Sequence, residues 1–207
     1  MVTARVVEIG SWHGVVLEAA AWDGAAAEVD LSAACLFTHE ADGVQLGGGA
    51  KHLDDALGGA LLRLRGDGCF RARLGDTLLL DQPPPAVAGG SVLVIGVGDP
   101  SAWTPEASGL AAGITASIAL FRGAASVAFA PSLLDAGVGG ADPGEAMLLA
   151  VAGAISAAVA AADMGLASKP KLRRFVFDAG AARLDAAAES FARALATLKS
   201  AVPSGSG

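Results

Sequence analysis

Ser91-Val92-Leu93-Val94-Ile95-Gly96-Val97 is a continuous apolar run of the length of one strand, and it decides the fold predicted for this chain. Runs of this kind are typical of a central strand that is buried on both faces of a parallel sheet. Shortly after it, Thr104-Pro105-Glu106 supplies an N-cap, a first-turn proline and an acid at the positive end of a helix. We therefore expect a buried strand followed by a helix that ends at about Arg122, which is the repeating unit of an α/β fold.

The same alternation extends to both sides of this unit. Apolar runs predict strands at residues 4–9, 14–17, 77–80, 125–130 and 174–178, and one or two strands at 27–31 and 33–37. Helices are predicted at 52–65, from 142 to about 163, and at 184–201. This alternation predicts a mostly parallel sheet with helices on both faces. In such folds, ligands bind beyond the carboxyl ends of the strands.

Composition limits the classes of protein to which the chain can belong. The 207 residues are 53% hydrophobic and 17% charged, so they can bury the core of one domain, predicted to span residues 1–202. The tail at 203–207 is predicted to be disordered. The net charge of −7 argues against sequence-independent binding to nucleic acid, because such binding needs a basic face.

Several features of the sequence predict a cytoplasmic protein. The N-terminus carries charges where the apolar core of a signal peptide would lie. The longest apolar run, residues 146–162, is shorter than the ~20 residues that cross a bilayer, so we interpret it as a buried helix and expect no membrane contact. Cys35 and Cys69 lie far apart and outside any CxxC motif, so we expect free thiols, with a single disulfide as the alternative.

A glycine triplet, Gly47-Gly48-Gly49, leads into the apolar, helical segment 53–61. Three residues without Cβ let backbone N–H groups converge on one point, and the start of a helix adds the positive end of its dipole. This pattern predicts a cradle for an anion or phosphate, with ligand contacts from the three glycines and from Asp54. The alternative is a turn that only reverses the chain, with Asp54 favouring the helix dipole.

A second glycine-rich loop, residues 131–143, leaves the predicted strand 125–130 and enters the next helix. Its candidate ligand-binding residues are Gly137, Val138, Gly139 and Gly140. Two such loops at strand-to-helix junctions predict a phosphate-binding site, provided that both lie at the same edge of the sheet. The alternative is that the glycines only end an excursion of the chain.

The remaining reactive side chains support no catalytic assignment. The three histidines, at positions 13, 39 and 52, have no metal-binding spacing. Lys51 and His52 adjoin the first glycine loop, where they contact a phosphate or begin a solvated helix. Cys35 is a candidate nucleophile without an identifiable base, and the alternative is a buried small thiol. The three tryptophans, including Trp22, are more typical of packing than of base stacking, because no basic groove accompanies them.

Taken together, these segments resemble the macro domain, a fold that binds ADP-ribose in many proteins. The resemblance rests on Leu46-Gly47-Gly48-Gly49 with 53–57, on 127–131 with 137–140 and 143–146, and on 175–178. It implies a three-layer α/β/α sandwich with a mixed, mostly parallel central sheet. The paired asparagines of many catalytic macro domains are replaced here by Ser32-Ala33-Ala34-Cys35.

A second resemblance, to the N-terminal domain of the leucyl aminopeptidases, covers about three-quarters of the chain. It rests on three runs: 53–61, Leu74-Gly75-Asp76-Thr77-Leu78-Leu79-Leu80, and 92–98. The catalytic half of that family, which carries the ligands of two metal ions, does not follow. We therefore expect no peptidase activity, no metal site and no cofactor.

Three functions remain open at the level of sequence. The first is a non-catalytic module that binds a nucleotide diphosphate or ADP-ribose-like ligand at the two glycine loops. The second is an interaction or assembly protein with a degenerate site, which forms a homo-oligomer or pairs with a separate peptidase subunit. The third is a hydrolase of ADP-ribosyl or phosphate esters, which the replaced asparagines disfavour.

Overall fold

The computed structural model describes residues 5–22, 25–41, 46, 48–133 and 141–201. Its strands are β1 (Val6–Trp12), β2 (Val15–Ala20), β3 (Leu31–Leu36), β4 (Thr77–Asp81), β5 (Ser91–Gly96), β6 (Ser126–Ala130) and β7 (Arg174–Asp178). Its α-helices are α1 (Gly48–Ala56), α2 (Ala60–Gly66), α3 (Pro105–Arg122), α4 (Gly144–Asp163) and α5 (Leu184–Ala201). Short 3-10 helices lie at Thr38–Ala41 and Pro100–Ala102.

The strands form one sheet in the order β1-β2-β7-β6-β3-β5-β4. The five inner strands are parallel, and the edge strands β1 and β4 are antiparallel to their neighbours. Ala20 is paired with Asp178, and Ala34 with Ala130, so the carboxyl ends of the inner strands lie at one edge. The predicted mixed, mostly parallel sheet is confirmed.

The strand β5 shows why its apolar sequence determines the architecture. All six of its residues are buried, and it lies between β3 and β4. Its side chains alternate between two cores, since Leu93 and Ile95 face α3 and α4 while Val92 and Val94 face α1 and α2. A strand that must be apolar on both sides requires helices on both sides, which gives the three layers of the sandwich.

The predicted single helix at 52–65 is wrong, because the chain forms two helices there. Gly58 and Gly59 adopt φ values of +65° and +76°, a left-handed conformation that glycine accepts and that ends a helix. At its other end, α1 begins at Gly48, so two residues of the glycine triplet lie in its first turn. Of the one or two strands predicted at 27–31 and 33–37, the structure has one, β3, and residues 27–30 lie before it outside any strand.

The helices α3 and α4 run parallel and are packed unusually closely. A methyl group at Gly109 would come within 3.0 Å of the carbonyl oxygen of Ala146, and one at Gly113 within 3.3 Å of Cβ of Ala150. Small residues at these positions therefore set the distance between the two helices.

One helix among the described residues, α4, is long and apolar enough by length and composition to cross a membrane, with a mean hydropathy of 1.9. In this fold its inner row, Met147, Leu148, Val151 and Ile155, packs on the sheet. The prediction of a buried helix is thus confirmed for this row alone, because Leu149 and Gly153 on the opposite side are exposed. The predicted tail at 203–207 lies outside the described residues.

Candidate functional site

A cavity of about 470 Å³ opens at the carboxyl edge of the sheet. The segments that follow three neighbouring strands form its base: Trp22 after β2, residues 130–133 at the end of β6, and residues 178–180 at the end of β7. The starts of α1 and α4 and one side of α5 complete the wall. This is the edge at which open α/β sheets bind ligands, and the volume is that of a small-molecule site.

The N-terminal half of α1 forms one side of the cavity, through Gly49, His52 and Leu53. Leu53 is buried and belongs to the core beneath α1, while His52 and Gly49 are exposed. The first N–H groups of a helix are not used within the helix, and they give its N-terminus an affinity for anions. The predicted ligand-binding residues Gly48 and Gly49 thus lie at this N-terminus, and Gly49 lies in the cavity wall.

The start of α4 forms the opposite side and is closed by the protein itself. The backbone N–H of Gly144 donates to Oδ1 of Asp142 over 2.9 Å. Gly144 has no room for a side chain, because a methyl group there would lie 2.8 Å from Oγ of Ser190 on α5. The carboxylate of Asp142 therefore occupies a position at which a helix N-terminus would otherwise attract an anion.

The ends of β2 and β7 are joined by the side chain of Asp178. Its Oδ1 accepts hydrogen bonds from the backbone N–H groups of Trp22 at 3.2 Å and Gly180 at 3.0 Å. The ring of Trp22 lies 5.0 Å from the guanidinium carbon of Arg174, which is a cation–π distance. Trp22 therefore packs on the sheet, as predicted, and also lines the cavity, which was not predicted.

Most of the remaining wall is apolar. Leu133, Met147 and Phe191 are buried there, and the ring of Phe191 is stacked on Phe177 with 4.3 Å between centroids. Arg183, just before α5, adds an exposed positive charge. The site thus combines apolar surface with a few polar groups, which is the usual composition of a small-molecule pocket.

Ser132 lies in the wall with a strained backbone. Its φ of +55° is in the left-handed region, which costs an L-residue other than glycine about 1–2 kcal/mol. Such conformations occur preferentially at ligand-binding sites, where the surrounding structure holds them. Ser132 lies at the start of the second glycine-rich loop, whose predicted residues Gly137, Val138, Gly139 and Gly140 lie outside the described residues, as does Gly47.

The structure places Asp54, a predicted ligand contact, away from the cavity. Asp54 is buried, and its Oδ1 accepts the backbone N–H groups of Leu61 at 2.8 Å and Leu62 at 3.3 Å, at the start of α2. It does not line the cavity. Its carboxylate thus caps α2, because a helix N-terminus favours a negative charge and leaves N–H groups to be satisfied.

Two other chemistries find no support in the geometry. Burial, and to a smaller extent the charge of Glu40, raises the pKa of the Cys35 thiol far above its ordinary value, so this thiol stays protonated. Over the described ranges, no three His, Cys, Asp or Glu side chains come together to hold a metal ion.

The sequence missed the aromatic and acidic groups of the cavity. Trp22, Asp178 and Phe191 come from three distant parts of the chain, and only the sheet order places β2 next to β7. The sequence did contain one signal for Asp178. It is the last residue of a predicted strand in a parallel sheet, and ligands bind at the carboxyl ends of such strands.

The comparisons with known proteins agree with this fold. The sequence model of the cytosol aminopeptidase family, N-terminal domain, matches residues 36–166, which is more than half of the chain. The chain belongs to the cytosol aminopeptidase family, by its N-terminal domain. No curated protein sequence matches the chain.

Solved structures of this N-terminal-domain fold resemble the chain over most of its length. A mutant of tomato leucine aminopeptidase matches with a TM-score of 0.59 and 16% identity, over 90% of this chain and 37% of the tomato chain. The Oceanobacillus iheyensis macrodomain with ADP matches with a TM-score of 0.61 and 13% identity, over 97% and 100% of the two chains. The Trypanosoma brucei macrodomain in complex with ADP matches with a TM-score of 0.59 and 16% identity, over 86% of this chain and 68% of the Trypanosoma chain.

These similarities establish the fold that the cytosol aminopeptidase N-terminal domain shares with macrodomains. The chain spans 37% of the length of the tomato aminopeptidase that it matches. The sequence-based prediction of both resemblances is therefore confirmed.

Proposed function

We propose that this aminopeptidase-type N-terminal domain is a non-catalytic module that binds an ADP-ribose-like nucleotide diphosphate. The observation that carries the proposal is the cavity of about 470 Å³ at the carboxyl edge, with an indole and a helix N-terminus in its wall. The ADP complexes of the two macrodomains concern those proteins, and they suggest the ligand class to test here.

The charges of the wall predict how such a ligand would lie. The diphosphate is expected at the start of α1, at Gly49, because helix N–H groups favour anions, and the guanidinium of Arg183 elsewhere in the same wall also favours an anion. The opposite side is less suitable, since Asp142 would repel a phosphate there. The base is expected against the apolar part of the wall and the ring of Trp22.

A binding role without catalysis is proposed from the hydrogen bonds that the carboxylates of the cavity wall accept. Oδ1 of Asp178 accepts two backbone N–H groups, and Oδ1 of Asp142 accepts one. Backbone hydrogen bonds hold both carboxylates in fixed positions in the wall, where they act as acceptors. These groups are therefore suited to holding the wall and accepting hydrogen bonds from a ligand.

Calorimetric titration with ADP-ribose, ADP and adenosine tests the proposal. We expect Arg183→Ala to weaken the binding of ADP-ribose about tenfold, which is the order of one hydrogen bond to a charged group. Arg193→Ala is the matched control, because Arg193 is an exposed arginine of α5 outside the cavity wall. Absence of heat with every ligand would refute binding, and release of product from an ADP-ribosylated substrate would refute the non-catalytic role.

A further inference from the structure

The part of the sheet formed by β2, β7 and β6 places the indole of Trp22 and a charged side chain of β7 on the same face. Phe175 and Phe177 of β7 belong to the core beneath α3, α4 and α5. Because side chains alternate along a strand, Arg174 lies on the opposite face. The indole of Trp22 packs there as well, on a cluster that includes Ala128 of β6. The cation and the aromatic ring are therefore neighbours on this side of the sheet.

The guanidinium of Arg174 is held over the indole by an acid of the next strand. Its Nε donates to Oε2 of Glu18 on β2 over 2.5 Å, and the two side chains are 33% and 16% exposed. Its Cζ lies 5.0 Å from the centroid of the Trp22 ring. Shielding from water strengthens the attraction between a cation and an aromatic face. Glu18 thus fixes the position of the cation on the ring.

The indole lies between this cation and the cavity. Trp22 lines the cavity, whereas Arg174 and Glu18 do not. The backbone N–H of Trp22 donates to Oδ1 of Asp178 at 3.2 Å, and Asp178 also belongs to the cavity wall. Trp22 is thus anchored at its backbone by an acid in the wall and at its ring by a cation behind the wall.

A cation on one face of an aromatic ring changes what the other face attracts. The faces of an indole carry negative potential, which attracts positive charge. Arg174 already neutralises part of this potential, so a second positive charge on the cavity side gains less from the ring and is repelled by the guanidinium. A neutral base meets no such repulsion and keeps its stacking contact.

We propose that Arg174 is a positioning residue of the cavity, which holds the Trp22 ring for stacking and makes the site select a neutral base over a positively charged one. This inference rests on the proposed binding of a nucleotide diphosphate, and it adds the charge of the base that the site accepts. Arg174 acts through the ring of Trp22, and it makes no contact with the ligand itself.

Calorimetric titration with ADP and with its N1-methyl derivative, whose purine carries a positive charge at neutral pH, tests the selection. We expect the wild type to prefer ADP, and the double variant Glu18→Gln/Arg174→Met to lower that preference about threefold, the order of one cation–π interaction. The steric cost of the extra methyl group is common to all variants and cancels from the comparison. A merely structural role of Arg174 would weaken both ligands equally and leave the preference unchanged.

Two further variants and one measurement without ligand serve as controls. Arg174→Lys retains a positive charge and should retain most of the preference. Glu18→Gln alone is the matched control, because it retains the arginine. In the ligand-free wild type, the side-chain protons of Arg174 should show an upfield ring-current shift that is lost in Trp22→Leu. Thermal melting checks that every variant is folded.

Each result decides the inference. A preference for ADP that falls in the double variant and persists in Arg174→Lys supports it. Equal affinity of the wild type for both ligands, an unchanged preference in the folded double variant, or no ring-current shift on Arg174 overturns it, while nucleotide binding still stands. Absence of heat with both ligands in the wild type overturns the proposed function and this inference together.

Discussion

Asp54 and Asp55 are neighbours in sequence but have opposite surroundings. Asp54 is 3% exposed and accepts two backbone N–H groups at the start of α2. Asp55 is exposed and forms an ion pair with Lys51 at 2.5 Å, one turn earlier in α1. The sequence alone does not show which of the two adjacent acids is buried. The break at Gly58 and Gly59 decides this, because it places the start of α2 against Asp54.

The first prediction separates the structural role of Asp54 from a role in binding. We expect Asp54→Ala to lower the free energy of unfolding by about 1–2 kcal/mol, the usual value of a helix cap. The matched change Asp55→Ala should alter it by less than about 0.5 kcal/mol, since exposed ion pairs contribute little. Urea denaturation measures both. Weakened binding of ADP-ribose with unchanged stability in Asp54→Ala would instead support the ligand contact.

The second prediction concerns the two thiols. Cys35 is buried with a strongly raised pKa, while Cys69 is exposed. We expect a disulfide reagent to modify only Cys69 in the native protein, and both thiols in denaturant.

The raised pKa of Cys35 also fixes the sign of a pH dependence. The unfolded thiol ionises near its ordinary pKa of about 8.5, and the folded one does not, so the contribution of Cys35 to stability is lost as the pH rises above about 8.5. Cys35→Ala should lessen this alkaline loss in denaturation curves. Rapid modification of both thiols in the native protein would contradict the burial.

At the scale of elements, the start of α4 depends on its contact with α5. The third prediction is that Gly144→Ala costs about 1–3 kcal/mol, because the new methyl group overlaps Oγ of Ser190. In a Ser190→Ala background the cost should fall, because the overlap with Oγ is removed and only the approach to Oδ1 of Asp142 at 3.1 Å remains close. A double-mutant cycle by chemical denaturation measures this coupling. Equal costs in both backgrounds would contradict the close contact.

Elements with a strong local signal were predictable from the sequence. The apolar run of β5 predicted a buried strand, and the proline at the start of α3 predicted a helix there. Both predictions are confirmed. The break between α1 and α2 was not predicted, because an apolar helical pattern continues across Gly58 and Gly59. The exposed row of α4 was also not predicted. The helix is apolar on all sides, and its composition does not show which side another element covers.

At the scale of the whole molecule, the cavity is a product of sheet order. Trp22, Ser132 and Asp178 meet because β2, β7 and β6 are neighbours, although they lie far apart in the chain. The sequence predicted the edge at which ligands bind and a glycine triplet leading into a helix, but it predicted that helix to begin at residue 52, whereas α1 begins at Gly48. It could not predict the indole, because Trp22 follows a short strand whose neighbour is formed by the C-terminal part of the chain.

The central claim is that this cavity binds a nucleotide diphosphate, and the three indole N–H signals of the protein test it most directly. Trp22 lines the cavity, whereas the indole of Trp12 donates to Ser156 Oγ at 2.8 Å and that of Trp103 to Ser108 Oγ at 3.0 Å, both outside the cavity wall. In a titration with ADP-ribose followed by ¹⁵N–¹H correlation spectra, we predict a saturable shift of the Trp22 signal and of the Gly49 amide, with Trp12 and Trp103 unchanged. No shift, or an equal shift of all three indoles, would contradict the claim.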